Sequence, residues 1–225
     1  MKLDLKPDLV WKHFEELTKI PRCSKHEDRA AEYVVQVARD AGCTVEQDHV
    51  GNVIVQKAAT GASDVPMVTV QAHLDMVCEK NSDVDHDFSS DPIDVYIDGD
   101  KVKARGTTLG ADNGVGVAAM LALIEDDDLI HGPLEFLFTV DEETGMTGAF
   151  GLKEGALEGD MLINVDSEEI GSVYIGCAGG ANTTIRLPVS FEDAQGAALQ
   201  IKLRGLSGGH SGTDIHEGRA NSIKL

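Results

Sequence analysis

Basic residues are scarce in this sequence, in which 19 Lys and Arg stand against 39 Asp and Glu to give a formal net charge of −20 at pH 7. Phosphate backbones and anionic membrane surfaces both recruit Lys and Arg. The charge therefore argues against nucleic acid and against a membrane as partners. A content of 42% hydrophobic and 26% charged residues instead fits an enzyme domain that builds a core and stays in solution.

Long apolar runs are also missing. The longest, residues 115–124, is about half of the roughly 20 residues that a membrane-spanning helix needs, so we interpret it as a core helix. Residues 1–8 lack the apolar region of a signal peptide. We therefore expect a cytoplasmic location.

Cysteine is rare, and the few cysteines are widely spaced without a Cys-x-x-Cys pair: Cys23, Cys43, Cys78 and Cys177. This spacing indicates neither a disulfide framework nor a structural zinc site. We expect four small buried thiols. The sequence also contains no internal repeat and no low-complexity segment.

The sequence does contain alternating helical and strand patterns. Pro21 ends the first helical pattern, and Ser24 with Glu27 matches a capping box at the start of the second. Short apolar runs bounded by turn residues predict strands and two hairpins. The predicted helices cover residues 8–19, 24–40, 112–125 and 147–153, and the predicted strands and hairpins cover residues 45–55, 67–72, 93–104, 134–140 and 161–165. This alternation predicts an α/β sandwich.

The pattern changes after residues 176–180. Residues 183–191 and 199–203 alternate between apolar and polar side chains, which is typical of half-exposed antiparallel strands. We therefore expect one domain over residues 1–180 and the beginning of a second domain, of α+β type, over residues 181–225.

The C-terminal pattern is a helix that begins near Thr213 or Asp214. It has only about two turns before the sequence stops at Leu225, which is too short for a helix that is stable by itself. We therefore expect the second domain to be truncated.

Candidate metal ligands stand where four of these segments end. His73 and Asp75 end one predicted strand, Asp112 follows a Gly-rich turn, residues 141–143 follow a second strand, and Asp166 follows a third. In open α/β sheets, ligands bind at the carboxyl ends of strands, so we expect these side chains to lie close together. One imidazole with several carboxylates predicts a divalent metal site.

The spacing of these residues suggests roles. His73 and Asp75 are two apart on a strand and share a face, so Asp75 can orient the imidazole while His73 binds metal. Asp112 at a helix N-terminus, where the macrodipole stabilises an anion, could bridge two cations. Asp-Glu-Glu cannot direct all three side chains to one site; if one Glu is a ligand, its neighbour is free to act as a general base.

Five or six candidate ligands indicate two metal ions rather than one. Paired ions about 3.5 to 4 Å apart activate a water molecule and polarise a carbonyl group, so amide or ester hydrolysis is the natural chemistry. Because no thiol stands among the candidate ligands, zinc, manganese and cobalt all fit.

Each motif alone has an ordinary structural explanation. An isolated His-x-Asp is usually a surface pair, Asp112 resembles a helix N-cap, and Asp-Glu-Glu resembles a solvated acidic turn. The Gly-rich turn could also cradle phosphate, but Gly-Lys-Ser/Thr is absent and Asp112 would repel the anion. Only the combination of motifs favours a metal site.

Five motifs form this combination: His73-Leu-Asp75-Met, Thr108-Leu-Gly-Ala-Asp112-Asn-Gly, Asp141-Glu142-Glu143-Thr-Gly-Met, Asn164-Val-Asp166-Ser-Glu-Glu and Gly208-Gly-His210-Ser-Gly. They resemble the co-catalytic zinc exopeptidases, the family that includes the aminoacylases and the glutamate carboxypeptidases. Residues 21–27, 80–88 and 176–180 are similar to a subgroup of bacterial dipeptidases. The resemblance runs the length of the chain. It implies a catalytic mixed-sheet sandwich with helices on both faces, followed by a lid and dimerisation domain.

The resemblance also implies residue roles. Glu142 would be the general base, and Asp75 would orient the histidine ligand. His210 matches a lid histidine that stabilises the oxyanion, often across a dimer, although by itself it would be an ordinary turn histidine. The implied ligands of two zinc ions are His73, Asp112, Glu143 and Asp166. Among them, Asp112 would bridge the two ions.

One departure from the family concerns a further ligand. Family members continue beyond the point where this sequence stops, and the later segment supplies another metal-binding His. Neither His49 nor His216 stands at a matching position. We therefore expect residues 1–225 alone to be a weak or inactive catalyst.

Together these observations predict a metallo-dipeptidase that hydrolyses unblocked dipeptides, with Xaa-His dipeptides among the candidate substrates. The attacking water would be activated by two zinc ions, with Mn²⁺ or Co²⁺ as substitutes, and by Glu142. We expect the full-length protein to be a homodimer. A deacylase of N-acyl amino acids and a metal-binding chain without catalysis remain alternatives.

Overall fold

The structure is a computed structural model that describes residues 3–167, 169–177, 179, 183–193, 195–209 and 214–225. Its chain divides into two compact units, a first that ends at Val173 and a second from Tyr174 to Leu225. Within the described residues, no helix is both long enough and apolar enough to cross a membrane.

The first unit contains the regular elements predicted from the sequence, with bounds that differ by a few residues. Its helices are α1 (Asp8–Leu17), α2 (Asp28–Asp40), α3 (Ala111–Glu125) and α4 (Thr147–Gly151). Its strands are β1 (Thr44–Gln47), β2 (Val53–Lys57), β3 (Val68–His73), β4 (Val95–Asp98), β5 (Lys101–Ala104), β6 (Leu134–Thr139) and β7 (Met161–Asn164). The predicted mixed α/β class is confirmed.

Five of the strands form one mixed sheet in the order β1-β2-β6-β3-β7, and β4 and β5 form a separate hairpin. Strand β2 is antiparallel to both β1 and β6, whereas β3 is parallel to β6 and to β7. His73 is level with Thr139 of β6, and Gln71 is level with Asn164 of β7. The carboxyl ends of the three parallel strands therefore meet at one edge of the sheet.

The two faces of the sheet are covered differently. Helices α2 and α3 pack on the face that carries the apolar core, and α1 packs on α3. Because α3 is buried over most of its circumference, nearly every position in its apolar run is a core position. The opposite face, which includes Gln71 and Leu137, lines a cavity together with Ala149 of α4 and Leu157. Helices thus lie on both faces, and the sheet edge remains between them.

The start of α2 differs from the prediction. No side-chain bond caps this helix. The Ser24 hydroxyl donates instead to the Asp75 carboxylate, and Glu27 accepts from the amides of Lys25 and Asp141. The predicted capping box is therefore wrong, because tertiary partners take both side chains.

The second unit also differs from the prediction. Its described residues contain no strand, so the segments 183–191 and 199–203 do not form the predicted antiparallel strands. The alternating pattern is therefore not sufficient for a strand, since a strand requires a hydrogen-bonded partner. The expected helix near Asp214 is a short 3₁₀ helix, Ile215–Glu217.

Lys57 shows how the sheet and α3 are joined. Its ammonium group is buried and donates to the carbonyls of Leu123, Ile124 and Asp126 at 2.8 to 2.9 Å. These carbonyls lie at the C-terminus of α3, where helices lack intrahelical donors.

We expect Lys57→Met to lower the free energy of unfolding by about 1–3 kcal/mol, because it leaves buried carbonyls without a donor. Urea denaturation of the metal-free chain measures this loss. Lys103→Met is the matched control, since Lys103 is exposed and pairs with Asp98 on the surface, and we expect it to change stability by less than about 0.5 kcal/mol. Equal losses in the two variants would contradict the assigned role of Lys57.

Candidate metal centre

The candidate ligands converge at the carboxyl edge of the parallel strands. His73 is the last residue of β3, Glu143 follows the end of β6, and Asp166 follows the end of β7. Asp112 joins them from the first turn of α3, behind Gly110. The backbone at Asp112 has an extended ψ of 115°, and no side-chain hydrogen bond caps α3, because the Asp112 carboxylate is directed to His73 instead of to the helix amides.

The ligand atoms of these side chains are close enough to hold a metal ion. One atom each of His73, Asp112 and Glu143 lies within 4.8 Å of the other two. The Nε2 atom of His73 is 3.0 Å from Oδ1 of Asp112 and 3.6 Å from Oδ2 of Asp166. The structure thus brings all four proposed ligands together.

Asp75 fixes the orientation of the histidine. Its carboxylate is completely buried, and Oδ1 lies 3.2 Å from Nδ1 of His73. The same nitrogen is 3.1 Å from the backbone oxygen of Asp75. With Nδ1 engaged in this way, Nε2 faces the acidic cluster, as a metal-ligating imidazole requires.

Asp75 also fixes the loop that follows β6. Its two carboxylate oxygens accept hydrogen bonds from the amides of Glu142 and Glu143 at 3.0 and 3.1 Å, and Ser24 donates to it at 2.7 Å. Burial raises the pKa of Asp75, but these hydrogen bonds and the one with His73 outweigh burial and hold the pKa well below its usual value. Asp75 therefore stays anionic and orders both sides of the site.

The remaining acidic groups repel one another. Burial raises the pKa of Asp166 to about 6, and the neighbouring charge of Asp112 adds to that rise while His73 opposes it. Burial and the charge of Asp112 also raise the pKa of Glu143. Burial alone would lower the pKa of His73, but hydrogen bonds with Asp112 and Asp75 and the charge of Asp166 raise it to about 10.

This arrangement fits a divalent cation. One imidazole and three carboxylates supply nitrogen and oxygen ligands of the kind that zinc binds, and a cation would relieve the repulsion among the carboxylates. Asp112 is about half exposed, so the site is open to solvent.

The three residues Asp141, Glu142 and Glu143 point in different directions. Asp141 faces away from the ligands and accepts from the hydroxyls of Thr144 and Thr147. Glu142 lines a cavity of about 230 Å³ beside Asp166, and Glu143 joins the ligand cluster. His210, the predicted oxyanion residue, lies outside the described residues.

The cysteine pairing differs from the prediction. Cys23 and Cys78 form a disulfide with a Cα–Cα distance of 5.7 Å, across a sequence separation of 55 residues. Cys43 is partly buried and Cys177 is exposed. The expectation of four buried thiols is therefore wrong. The pairing arises because residue 23 lies beside Met76 in the fold, a proximity that cysteine spacing does not reveal.

The supporting role of Ser24 and Glu27 at the site could not be predicted from the sequence. Their spacing indicated a capping box, and residues 21–27 as a whole resembled the dipeptidases. The Ser24 hydroxyl donates to Asp75, and the Glu27 carboxylate accepts from the amide of Asp141. These two residues of the motif therefore support the site.

Comparisons with known proteins show which family this chain belongs to. The family model of peptidase family M20/M25/M40 matches residues 69–207. The cytosol non-specific dipeptidase of Escherichia coli (strain K12) is 50% identical over 98% of this chain and 46% of its own length.

Solved structures give a similar result. The aminoacylhistidine dipeptidase of Vibrio alginolyticus aligns with a TM-score of 0.78 and 46% identity, covering 100% of this chain and 46% of that one. The aminopeptidase PepT of Bacillus cereus aligns with a TM-score of 0.62 and 25% identity, covering 72% and 44%. The chain spans about half the length of the relatives it matches.

We expect zinc to stabilise this chain against unfolding and Asp112→Asn to remove most of that stabilisation. A ligand that binds only the folded state at 100 times its dissociation constant adds about 2.7 kcal/mol, and an amide is a poorer metal ligand than a carboxylate. Thermal unfolding with chelator and with zinc measures the gain for each variant. Asp100→Asn, on the exposed β4–β5 turn, should gain as much as the wild type. An undiminished gain in Asp112→Asn would show that zinc binds elsewhere.

Proposed function

Because the chain belongs to peptidase family M20/M25/M40, we propose that its metal centre serves a dipeptidase that hydrolyses the peptide bond of unblocked dipeptides. The observation that carries this proposal is the convergence of His73, Asp112, Glu143 and Asp166 at one edge of the sheet. The names of the Escherichia coli and Vibrio alginolyticus relatives support dipeptides as the substrate class.

We assign four ligands to two zinc ions, with Mn²⁺ or Co²⁺ as substitutes. Asp112 would be the ligand shared by the two ions, because its carboxylate lies 3.0 Å from Nε2 of His73 and also interacts with Asp166. When bound, such ions lower the pKa of a water molecule and polarise a carbonyl group.

The chain's own residues carry out the proton transfer. Glu142 lines the cavity beside Asp166 without being one of the clustered ligands, so its carboxylate is free to take a proton from the attacking water and pass it to the leaving amine. Asp75 holds the Glu142 amide, which fixes the position of this general base.

The location and the partners of the protein are proposed from its family membership as well. The Escherichia coli relative is named for the cytosol, which supports a cytoplasmic location. We propose a homodimer in which His210 stabilises the oxyanion, a substrate restricted to dipeptides, and no role for nucleic acid or a membrane.

We expect Glu142→Gln to lower kcat by about 100-fold or more while zinc content stays unchanged, because a general base contributes roughly 10²- to 10⁴-fold. The test measures dipeptide hydrolysis by each variant of the longest natural form in which this chain occurs. Metal analysis of the same variants shows whether zinc content is unchanged. Glu154→Gln, at an exposed position, is the matched control and should keep wild-type kcat. Wild-type turnover by Glu142→Gln would remove Glu142 from the mechanism.

The same enzyme should lose hydrolysis on treatment with a chelator and regain it with zinc. It should cleave free dipeptides and leave N-acyl amino acids intact, because a dipeptidase requires the free amino group. Preferential cleavage of N-acyl amino acids would instead identify a deacylase. Bound metal without cleavage of either class would indicate a metal-binding protein without catalysis.

A further inference from the structure

Arg22 is a fully buried cation that the proposed mechanism does not use. Its side chain is only 2% exposed, and it lies in the loop between α1 and α2. Nη1 donates to the carbonyls of Leu74 and Asp75 at 3.0 and 3.2 Å, and Nη2 donates to the carbonyl of Gly110. One planar guanidinium group therefore joins the end of β3 to the turn that precedes Asp112.

The two segments that Arg22 joins each carry a candidate ligand. Leu74 follows His73 directly, and Gly110 stands two residues before Asp112. The chain after β3 and the chain before Gly110 also pair farther from the ligands, through the bridge between Lys80 and Thr107 and the hydrogen bond from Thr108 to the Val77 carbonyl. Arg22 adds the contact that stands nearest in sequence to both His73 and Asp112, whose side chains are 3.0 Å apart.

The glycines of the Asp112 motif make room for this guanidinium. A Cβ atom on Gly110 would lie 2.5 Å from Nη2 of Arg22, and one on Gly114 would lie 2.6 Å from the same atom. Gly110 also has a φ of +72°, which favours glycine by itself. At Gly114 the guanidinium is the nearest obstacle. The spacing Gly-x-Asp-x-Gly therefore matches the space that Arg22 needs.

The loop holds Arg22 firmly in place. The Arg22 carbonyl accepts from the amide of Met76 at 3.0 Å, and the next residue, Cys23, is bonded to Cys78. Ser24 then donates to Asp75. The side chain therefore projects from a backbone that is itself attached to the strand end.

The positive charge of Arg22 and its hydrogen bonds have opposite effects on metal binding. Burial lowers the pKa of Arg22 to about 10, although the nearby charges of Asp75 and Asp112 oppose this, so the group remains a cation at neutral pH. A fixed positive charge beside a metal site repels the metal. If charge dominated, removal of Arg22 would tighten metal binding; if positioning dominates, removal weakens it.

We propose that Arg22 is a positioning residue of the metal centre, which sets the distance between His73 and Asp112 by joining the carbonyls of Leu74, Asp75 and Gly110. This inference rests on the proposed metal function. Arg suits the task because its planar fork donates in two directions at once, whereas the ammonium group of Lys is a point donor.

The test compares zinc affinity in Arg22→Met, Arg22→Lys and the wild-type chain, measured by calorimetry against a competing chelator at a temperature where circular dichroism shows each to be folded. We expect Arg22→Met to weaken zinc binding by about 10- to 100-fold, as the loss of outer-shell partners of ligands does, with Arg22→Lys intermediate. The visible absorption of bound Co²⁺ should change in Arg22→Met, since it reports the geometry of the ligands.

Two further variants separate positioning from general destabilisation. Lys57→Met removes another buried cation that donates to three backbone carbonyls, but at the far end of α3. It should lower stability and leave zinc affinity and the Co²⁺ spectrum unchanged. Gly114→Ala keeps the charge of Arg22 but displaces its guanidinium, so it should weaken zinc binding as Arg22→Met does.

The outcomes separate the two proposals. If the wild-type chain binds no zinc, the proposed metal function fails. If the wild type binds zinc while Arg22→Met binds it equally or more tightly, the metal function stands and the positioning role is overturned. Equal weakening in Arg22→Met and Lys57→Met would also overturn it, because the effect would then be one of stability.

Discussion

The buried carboxylate of Asp75 is the constraint on which the site depends. It faces Nδ1 of His73 and accepts the amides of Glu142 and Glu143, so one anion orients a ligand on β3 and the loop that follows β6. A buried carboxylate without partners would be costly, but this one has four donors and stays charged. The remaining carboxylates, which lie around His73, are left to repel one another until a cation binds.

The sheet explains how distant residues reach this place. Parallel strands β3, β6 and β7 end together, so residues that are separated by up to 93 positions become neighbours, as Gln71 and Asn164 do. This much could be predicted from the sequence, because short apolar runs that stop at polar clusters identify strand ends. The helices and strands of the first unit could also be predicted, from hydrophobic periodicity and turn residues. The strands predicted over residues 183–191 and 199–203 are not formed, because an alternating pattern does not show whether a partner strand is present.

The supporting contacts could not be predicted, because they depend on side chains that meet only in three dimensions. Ser24 and Glu27 have the spacing of a capping box, yet Asp75 and the Asp141 amide bind them. Arg22 donates to backbone carbonyls, which have no sequence signature. The pairing of Cys23 with Cys78 also depends on a proximity that arises only in the folded chain. In a reducing compartment this pair would exist as thiols, and the hydrogen bonds of Arg22 and Ser24 would then hold the loop against the strand end.

We propose that His73, Asp112, Glu143 and Asp166 hold paired metal ions at the carboxyl edge of the sheet. Anomalous diffraction at the zinc absorption edge, from crystals of the protein grown with zinc, would locate these ions. We expect two peaks separated by about 3.5 to 4 Å, with the Asp112 carboxylate between them. Zinc peaks elsewhere, or none within bonding distance of Asp112, would contradict it.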